Sequence, residues 1–195
     1  MNRMTNTSFY SDEELKQIGF ASVGNNVSIS RKTSIYTPER MNIGNNVRID
    51  DYAVLSGNIT IGDHVHIAVY VALFGGYNGI VLEDYAGISS NCVVYSETDD
   101  YSGEHMTNPT IPAPYRSVRG GLVTLKKHVL IGTGSSILPG VTIGEGTAVG
   151  SMSLVNRSLE PWGIYVGSPC RKIKERSRKL LEVEEAMVKN TKTDL

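Results

Sequence analysis

Four histidines, two cysteines, a pair of adjacent aspartates and one basic run are the parts of this 195-residue chain that could do chemistry. Histidine takes and returns a proton near neutral pH more readily than any other side chain. His66 and His105 stand in the settings most open to that use: His66 ends Ile61-Gly-Asp-His-Val-His66, and His105 lies in Gly103-Glu-His-Met-Thr-Asn-Pro109. His64 and His128 read as solvated or packed surface groups. A catalytic zinc needs three convergent neutral imidazoles and an open position. His64 and His66, two residues apart along a coil, are expected to diverge, and no metal is expected. Asp99 and Asp100 are either turn formers, a common local role for Asp, or carboxylates that hold an ammonium or a hydroxyl. Cys92 and Cys170 read as packed thiols, since a cysteine acyl-enzyme needs an adjacent base that the sequence does not show. Two cysteines make neither a disulfide framework nor a metal-ligand spacing, which fits a reducing, cytoplasmic setting. The basic run is Arg171, Lys172, Lys174, Arg176, Arg178 and Lys179. The spacing predicts a helix near 171–188 with Ile173, Leu180, Leu181, Val183 and Met187 on its apolar side. Cations at a helix start oppose the macrodipole, so either a polyanion sits there or the helix is a solvated charged one.

What must position these groups is a repeat. An aliphatic residue recurs every six positions at Val23, Ile29, Ile35, Ile43, Ile49, Leu55, Ile61, Ile67 and Leu73, then at Leu82, Ile88 and Val94. It resumes at Leu125, Ile131, Ile137, Ile143, Val149 and Val155. The fifth position of each hexad is small or β-branched, as in Val27, Thr33, Ala53, Ser135 and Thr147. Period six is neither helical nor a simple strand alternation. Three hexads close one triangular coil of short strands with the aliphatic side chains stacked inward, and each coil buries its stack only against the next. The reading is an all-β fold: a single-stranded left-handed parallel β-helix of about six coils, with a long loop excursion and a C-terminal α-helix. Breaks in the period locate insertions between Ile35 and Ile43, between Leu73 and Leu82, and, with 25 extra residues, between Val94 and Leu125. The last is rich in Pro, Gly, Ser and Asp, so it leaves the coil; Tyr95, Tyr101, Ile111 and Tyr115 give it side chains to pack against a neighbour. Before the repeat, Ser11-Asp-Glu-Glu14 opens a short helix running toward Gly19. The expected divisions are an N-terminal helical segment over 1–22, the β-helix over 23–160 with its loop at 97–121, and a tail and helix over 161–195.

The bulk numbers exclude several functions. The formal net charge is −1, which gives no global pull toward nucleic acid or a membrane surface. No apolar run approaches the roughly 20 residues of a membrane span, and the first residues lack the apolar segment of a secretory signal.

The repeat, followed by Ile137-Leu-Pro-Gly-Val-Thr-Ile-Gly-Glu-Gly146, Ser151-Met-Ser-Leu-Val-Asn-Arg157 and Val166-Gly-Ser-Pro-Cys-Arg-Lys-Ile173, resembles the hexapeptide-repeat acyltransferases. The likeness is to the maltose/galactoside and O-antigen sugar acetyltransferase branch and covers roughly residues 20–175. It implies a homotrimer that binds acetyl-CoA between adjacent subunits and acetylates a sugar or nucleotide-sugar there. By position it implies that Thr133 and Ser151 line the pantetheine channel, that Asn156 and Arg157 contact the cofactor, and that Arg171 and Lys174 lie near the CoA phosphates. It makes Trp162 a candidate to stack on adenine, though burial against the last coil suits a lone Trp better. In sugar O-acetyltransferases of this family a His at the start of the long loop is the base; here Asp99 falls at that place. A carboxylate is a poor base for a hydroxyl, so the departure favours an amine acceptor, with His66 or His105 beside Asp99 as the candidate catalytic groups. Other expectations are a plain sugar O-acetyltransferase, a non-catalytic trimeric scaffold, and a γ-carbonic-anhydrase-like zinc enzyme on the same fold.

Overall fold

The computed structural model describes residues 8–193; the first seven residues of the N-terminal segment and residues 194–195 of the tail lie outside the described residues. The chain winds into a parallel β-solenoid of about seven turns. One face is built from Ser28–Ile29, Arg48–Ile49, His66–Ile67, Gly87–Ile88, Leu130–Ile131, Ala148–Val149 and Gly163–Val166, each in parallel register with the next; we call it the second face. The first face carries Ser22–Val23, Met41–Ile43, Val123–Leu125 and Thr142–Ile143, and the third carries Ser34–Tyr36, Val93–Tyr95, Ser136–Ile137 and Leu154–Val155. Two long strands, Val54–Ile61 and Ala72–Leu82, run from the third face round a bend into the first.

The period-setting side chains fill the interior as expected. All are buried except Val23 and Ile35, which sit in the first turn with a neighbour on one side only. The fifth-position residues are buried too, because the coil turns over them and leaves room for nothing larger. Both ends of the stack are closed. At the start, α1 (Asp12–Ile18) has the predicted Ser11 cap, a full capping box with Glu14, and Gly19 at φ 88°. Its Leu15 is 2% exposed and plugs the open core. At the far end Leu159, Tyr165 and Cys170 continue the stack into one further, less regular turn.

The tail differs from the expected helix over 171–188. Arg171–Glu175 is a strand, antiparallel to Gly163–Val166, and the helix α2 spans Leu180–Thr193. Gly167, at φ 101°, turns the chain back, so residues 171–175 pair with an edge instead of coiling freely. Arg171, Lys172 and Lys174 therefore lie on a strand, and only Arg178 and Lys179 of the basic run stand directly at the helix start.

One corner of the triangle is a ladder of left-handed residues: Asn26, Asn46, His64, Tyr85, His128, Gly146 and Trp162, with φ from 54° to 67°. A non-glycine residue there costs about 1–2 kcal/mol. Stacking returns part of it: the rings of His64 and Tyr85, and of Tyr85 and His128, lie 5.0 Å apart and nearly parallel, worth about 0.5–1.5 kcal/mol per pair. Every long insertion leaves from a different corner, between the third and first faces: the 3-10 turn Pro38–Arg40 in the first coil, the bend at Gly75–Gly79 in the third and the 97–121 excursion in the fourth, with the second coil passing that corner without extra residues.

Candidate active site

The excursion is an ordered loop with a stitched base. Glu97–Thr98 pairs antiparallel with Arg119–Gly120. Ser96 is fully buried; its hydroxyl donates to the Gly75 carbonyl at 2.6 Å, and its own carbonyl accepts from Gly121 N at 2.9 Å. Glu97 reaches back to the preceding coil, accepting from Tyr77 N at 2.6 Å and Asn78 Nδ2 at 3.0 Å. The two adjacent aspartates then part. The Asp100 side chain is 2% exposed and accepts from the Ser102 hydroxyl at 2.7 Å, Ser102 N at 2.9 Å and His105 N at 3.0 Å. The Ser102 bonds, with His105 behind them, hold its carboxyl well below the usual carboxylate range. Asp99 faces the other way. Its Oδ2 accepts from Asn108 N at 3.2 Å, and it lines a cavity of about 300 Å³ with Tyr95, Glu97, Thr98, Tyr101, Leu138 and Pro139. No histidine lines this cavity: His105 is turned to Asp100, with Nδ1 3.4 Å from its Oδ2.

His66 lies elsewhere in the chain, on the second face. Its Nε2 is 2.8 Å from Asp50 Oδ2, and Arg48 Nε donates to Asp50 Oδ1 at 2.7 Å. Burial pushes the Asp50 carboxyl up, yet the bonds from His66 and Arg48 outweigh it and leave it below the usual range. Sequence reasoning missed this pair; the signal was Arg48 and Asp50 flanking a core Ile49 one coil before His66, which alternation places outward. His66 borders a second cavity of about 300 Å³ with Ala68, Gly87, Ser89, Ser90, Leu130 and Thr133. Within one chain, then, His66 is not brought to Asp99 and His105.

The cofactor candidates fall into two groups. Thr133 and Ser151 occupy the same corner of successive turns, beside the second face, tied by Met152 N donating to the Thr133 carbonyl at 2.8 Å. Arg171 and Lys174 lie on the strand that ends this face, opposite Val166 and Ile164. Asn156 and Arg157 are exposed at the insertion corner, across the triangle from Thr133 and Ser151. Trp162 is 6% exposed, its ring lying over Gly146 with the Arg178 guanidinium 5.2 Å from its centroid, so it serves burial. The two remaining histidines are committed to the corner ladder, and His128 Nε2 also meets Glu184 at 2.9 Å. Among the described residues no three His, Cys, Asp or Glu side chains converge on a metal-sized point. The two free thiols, Cys92 and Cys170, are buried, and burial pushes both up, away from the thiolate form a nucleophile needs.

Residues 40–75 match the family model described as bacterial transferase hexapeptide (six repeats). The chain is 48% identical over 179 residues to the Escherichia coli protein named dTDP-4-amino-4,6-dideoxy-D-glucose acyltransferase, covering 90% of this chain and 93% of that one. It is 27% identical over 73% of its length to the Escherichia coli K12 protein named putative lipopolysaccharide biosynthesis O-acetyl transferase WbbJ. Among solved structures it resembles AntD, an N-acyltransferase from Bacillus cereus. That protein has been solved with dTDP-4-amino-4,6-dideoxyglucose and coenzyme A; the TM-score is 0.93 and the identity 57%, over 95% of this chain and 99% of that one. A further AntD structure holds dTDP and 3-hydroxybutyryl-CoA. With near-full coverage at this identity, on a solenoid whose coils carry the same hexad, the chain belongs to the hexapeptide-repeat acyltransferases.

Proposed function

We propose that the protein transfers an acyl group from a CoA thioester to the amino group of a dTDP-linked amino-6-deoxyhexose, in a site formed between copies of a homotrimer. The observation that carries this reading is the Asp99 cavity. It offers one carboxylate for an ammonium, two tyrosine rings for a sugar face, and Leu138 with Pro139 as an apolar wall for a deoxy carbon. It offers no imidazole to strip a hydroxyl. AntD has been solved with a serine and, ten residues later, an aspartate substituted; Ser89 with Asp99 and Ser90 with Asp100 both stand at that spacing here, and of the two aspartates Asp99 is the one that lines a cavity.

The chemistry then needs little activation. Asp99 holds the sugar ammonium and receives its proton, leaving a neutral amine. The nitrogen attacks the thioester carbonyl; the C–N bond forms, the oxyanion collapses and the C–S bond breaks. As the C–S bond breaks, the attached nitrogen gives its second proton to the CoA thiolate, and the proton on Asp99 passes to solvent, so the sum is ammonium plus thioester to amide plus thiol plus a proton. Donors for the oxyanion come from backbone N–H groups and the Ser89 side of the second face. Thr133 and Ser151 flank the pantetheine arm, Arg171 and Lys174 meet the phosphates at the end of the face, and Asn156 and Arg157 of a neighbouring copy close the far side. His66, oriented by Asp50, stands at the thioester end of that groove; His105 orders the loop through Asp100.

Exposed aromatic groups support the assembly: Tyr101 is 93% exposed and Tyr115 63%, and the stacked pair Phe74–Tyr95 faces outward on the third face. We place the enzyme in the cytoplasm, where CoA thioesters and nucleotide-sugars occur, supplying precursors for surface polysaccharide; among the described residues no helix is long and apolar enough to cross a membrane. Free-thiol release from acetyl-CoA and longer acyl-CoAs is measured with dTDP-4-amino-4,6-dideoxyglucose, its 4-hydroxy counterpart and free sugars. Turnover confined to the amine confirms the proposal; turnover on hydroxyl acceptors restores an O-acyltransferase and demands a base that Asp99 cannot be.

A further inference from the structure

Glu97 lines the same cavity as Asp99, yet the loop's stitching uses only half of its carboxylate. The two residues stand two apart at the start of the excursion, the spacing that puts side chains on one side of a strand. Glu97 Oε1 accepts both bonds from the preceding coil, from Tyr77 N at 2.6 Å and Asn78 Nδ2 at 3.0 Å. Among the described residues no donor meets its Oε2. Two glycines clamp the side chain in place. A Cβ on Gly76 would come within 2.3 Å of Glu97 Cδ and 2.4 Å of Oε2, and one on Gly120 within 2.9 Å of Cγ. Asp99 is left in the same condition: Oδ2 accepts from Asn108 N at 3.2 Å, and no donor among the described residues meets Oδ1. The cavity is thus lined by two fixed carboxylates, each with one oxygen to spare.

We propose that Glu97 is a specificity-determining residue for the acceptor: its Oε2 accepts a hydrogen bond from the sugar hydroxyl beside the amine that Asp99 holds. The proposal rests on the acyl-transfer reading, which puts the ammonium on Asp99. A carboxylate accepts and does not donate, so Glu97 recognises a donor on the ligand. In a 4-amino-4,6-dideoxyhexose the only hydroxyl on a ring carbon next to the amine is the one at C3, because C5 carries the methyl group. Glu97 does not share the ammonium with Asp99: a second anion on that group would favour its charged form and hold back the neutral amine that attacks. The Glu97 carboxylate is fixed before the acceptor arrives, so little freedom is lost on binding. An acceptor without the hydroxyl leaves Oε2 unpaired and is rejected for that reason.

The test is free-thiol release from acetyl-CoA and longer acyl-CoAs, with dTDP-4-amino-4,6-dideoxyglucose and its 3-deoxy counterpart as acceptors. It compares the wild type with Glu97→Gln and Asn78→Ala. Glutamine keeps Oε1 for the two stitching donors and replaces only the spare oxygen, by an N–H donor. Asn78→Ala removes a stitching bond and leaves Oε2 as it is. The expected result is a wild-type preference in kcat/KM of about 10- to 100-fold for the 3-hydroxy acceptor, the range of a hydrogen bond to a charged group. That preference should fall about tenfold in Glu97→Gln and persist in Asn78→Ala. Equal losses on both acceptors in Glu97→Gln would put Glu97 on the ammonium and overturn the proposal. A preference that falls as far in Asn78→Ala makes the stitch its source, not the spare oxygen, and overturns it too. A wild type that turns over both acceptors alike overturns it and leaves acyl transfer standing. No turnover with either acceptor removes the acyl-transfer reading and this proposal together.

Discussion

At the scale of single residues, two neighbouring aspartates have been given opposite work by their surroundings. Asp99 keeps one oxygen in a cavity, while Asp100 spends its carboxylate on the loop's own backbone. Asp99→Asn keeps the shape but loses the proton acceptor, and positioned proton transfer contributes about 10²–10⁴-fold. The expected outcome is a fall of about 100-fold or more in kcat with the amino acceptor and a smaller change in KM. Asp100→Asn is a different experiment. Its folded pKa lies below the unfolded value near 3.8, so the ionised group stabilises the loop above that pH and ceases to as pH falls through the folded value. The wild type should therefore melt above Asp100→Asn by a constant margin from pH 7 to about 5, and the margin should begin to shrink below about pH 3.8 and keep shrinking toward the folded value. A margin that stays constant from about pH 5 down to about pH 2 would mean that shape, not charge, holds the turn. The sequence marked Asp99 only through resemblance; nothing local distinguishes it from Asp100, because which of two adjacent carboxylates faces inward depends on the loop's return through Ser102 and His105.

At the scale of elements, the hexad was legible almost to the last coil. The interior admits one aliphatic side chain per face, and a period with one physical cause leaves a plain trace. The insertions were legible as lengths, and their common corner follows from them: each begins after a third-face strand and ends before a first-face one. The tail was misread because Ile173, Leu180, Val183 and Met187 also suit a helical stripe, and pairing between Arg171–Glu175 and Gly163–Val166 is set by an edge the residues themselves do not announce. The Gly167-Ser-Pro169 turn between two short runs was the available hairpin signal. The seventh turn is seated through Gly146, which sits at φ 67° beneath the Trp162 ring, where a Cβ would come within 2.5 Å of ring carbons. Gly146→Ala should cost about 2–4 kcal/mol, combining left-handed strain with overpacking. Gly87→Ala, with its nearest contact at 3.6 Å, should leave the melting temperature within a degree or two. Thermal melts of the two variants check the contrast; equal losses would mean that Trp162 moves aside freely.

At the scale of the whole molecule, the solenoid separates its chemistry. The Asp99 cavity opens at the insertion corner, and the cavity with Thr133 lies along the second face and its neighbouring corner. A rigid stack of coils has no hinge with which to bring these together, so on the proposed reading one chain holds both halves of the site without completing it. In the homotrimer proposed above, the loop of one copy would be set against the groove of the next and complete it. This is open to a direct complementation test. Asp99→Asn damages only the loop half, and Thr133→Trp, at an exposed position, blocks only the groove half. Each variant alone should be nearly inactive. Unfolded together in equal amounts and refolded, they should regain about a quarter of wild-type activity, because one junction in four then joins an intact loop to an intact groove. Simple mixing of the folded variants should regain far less if subunits exchange slowly. If the refolded mixture stays inactive while light scattering shows normal oligomers, both halves act within one chain, and the Asp99 cavity must receive its thioester by a route the second face does not provide.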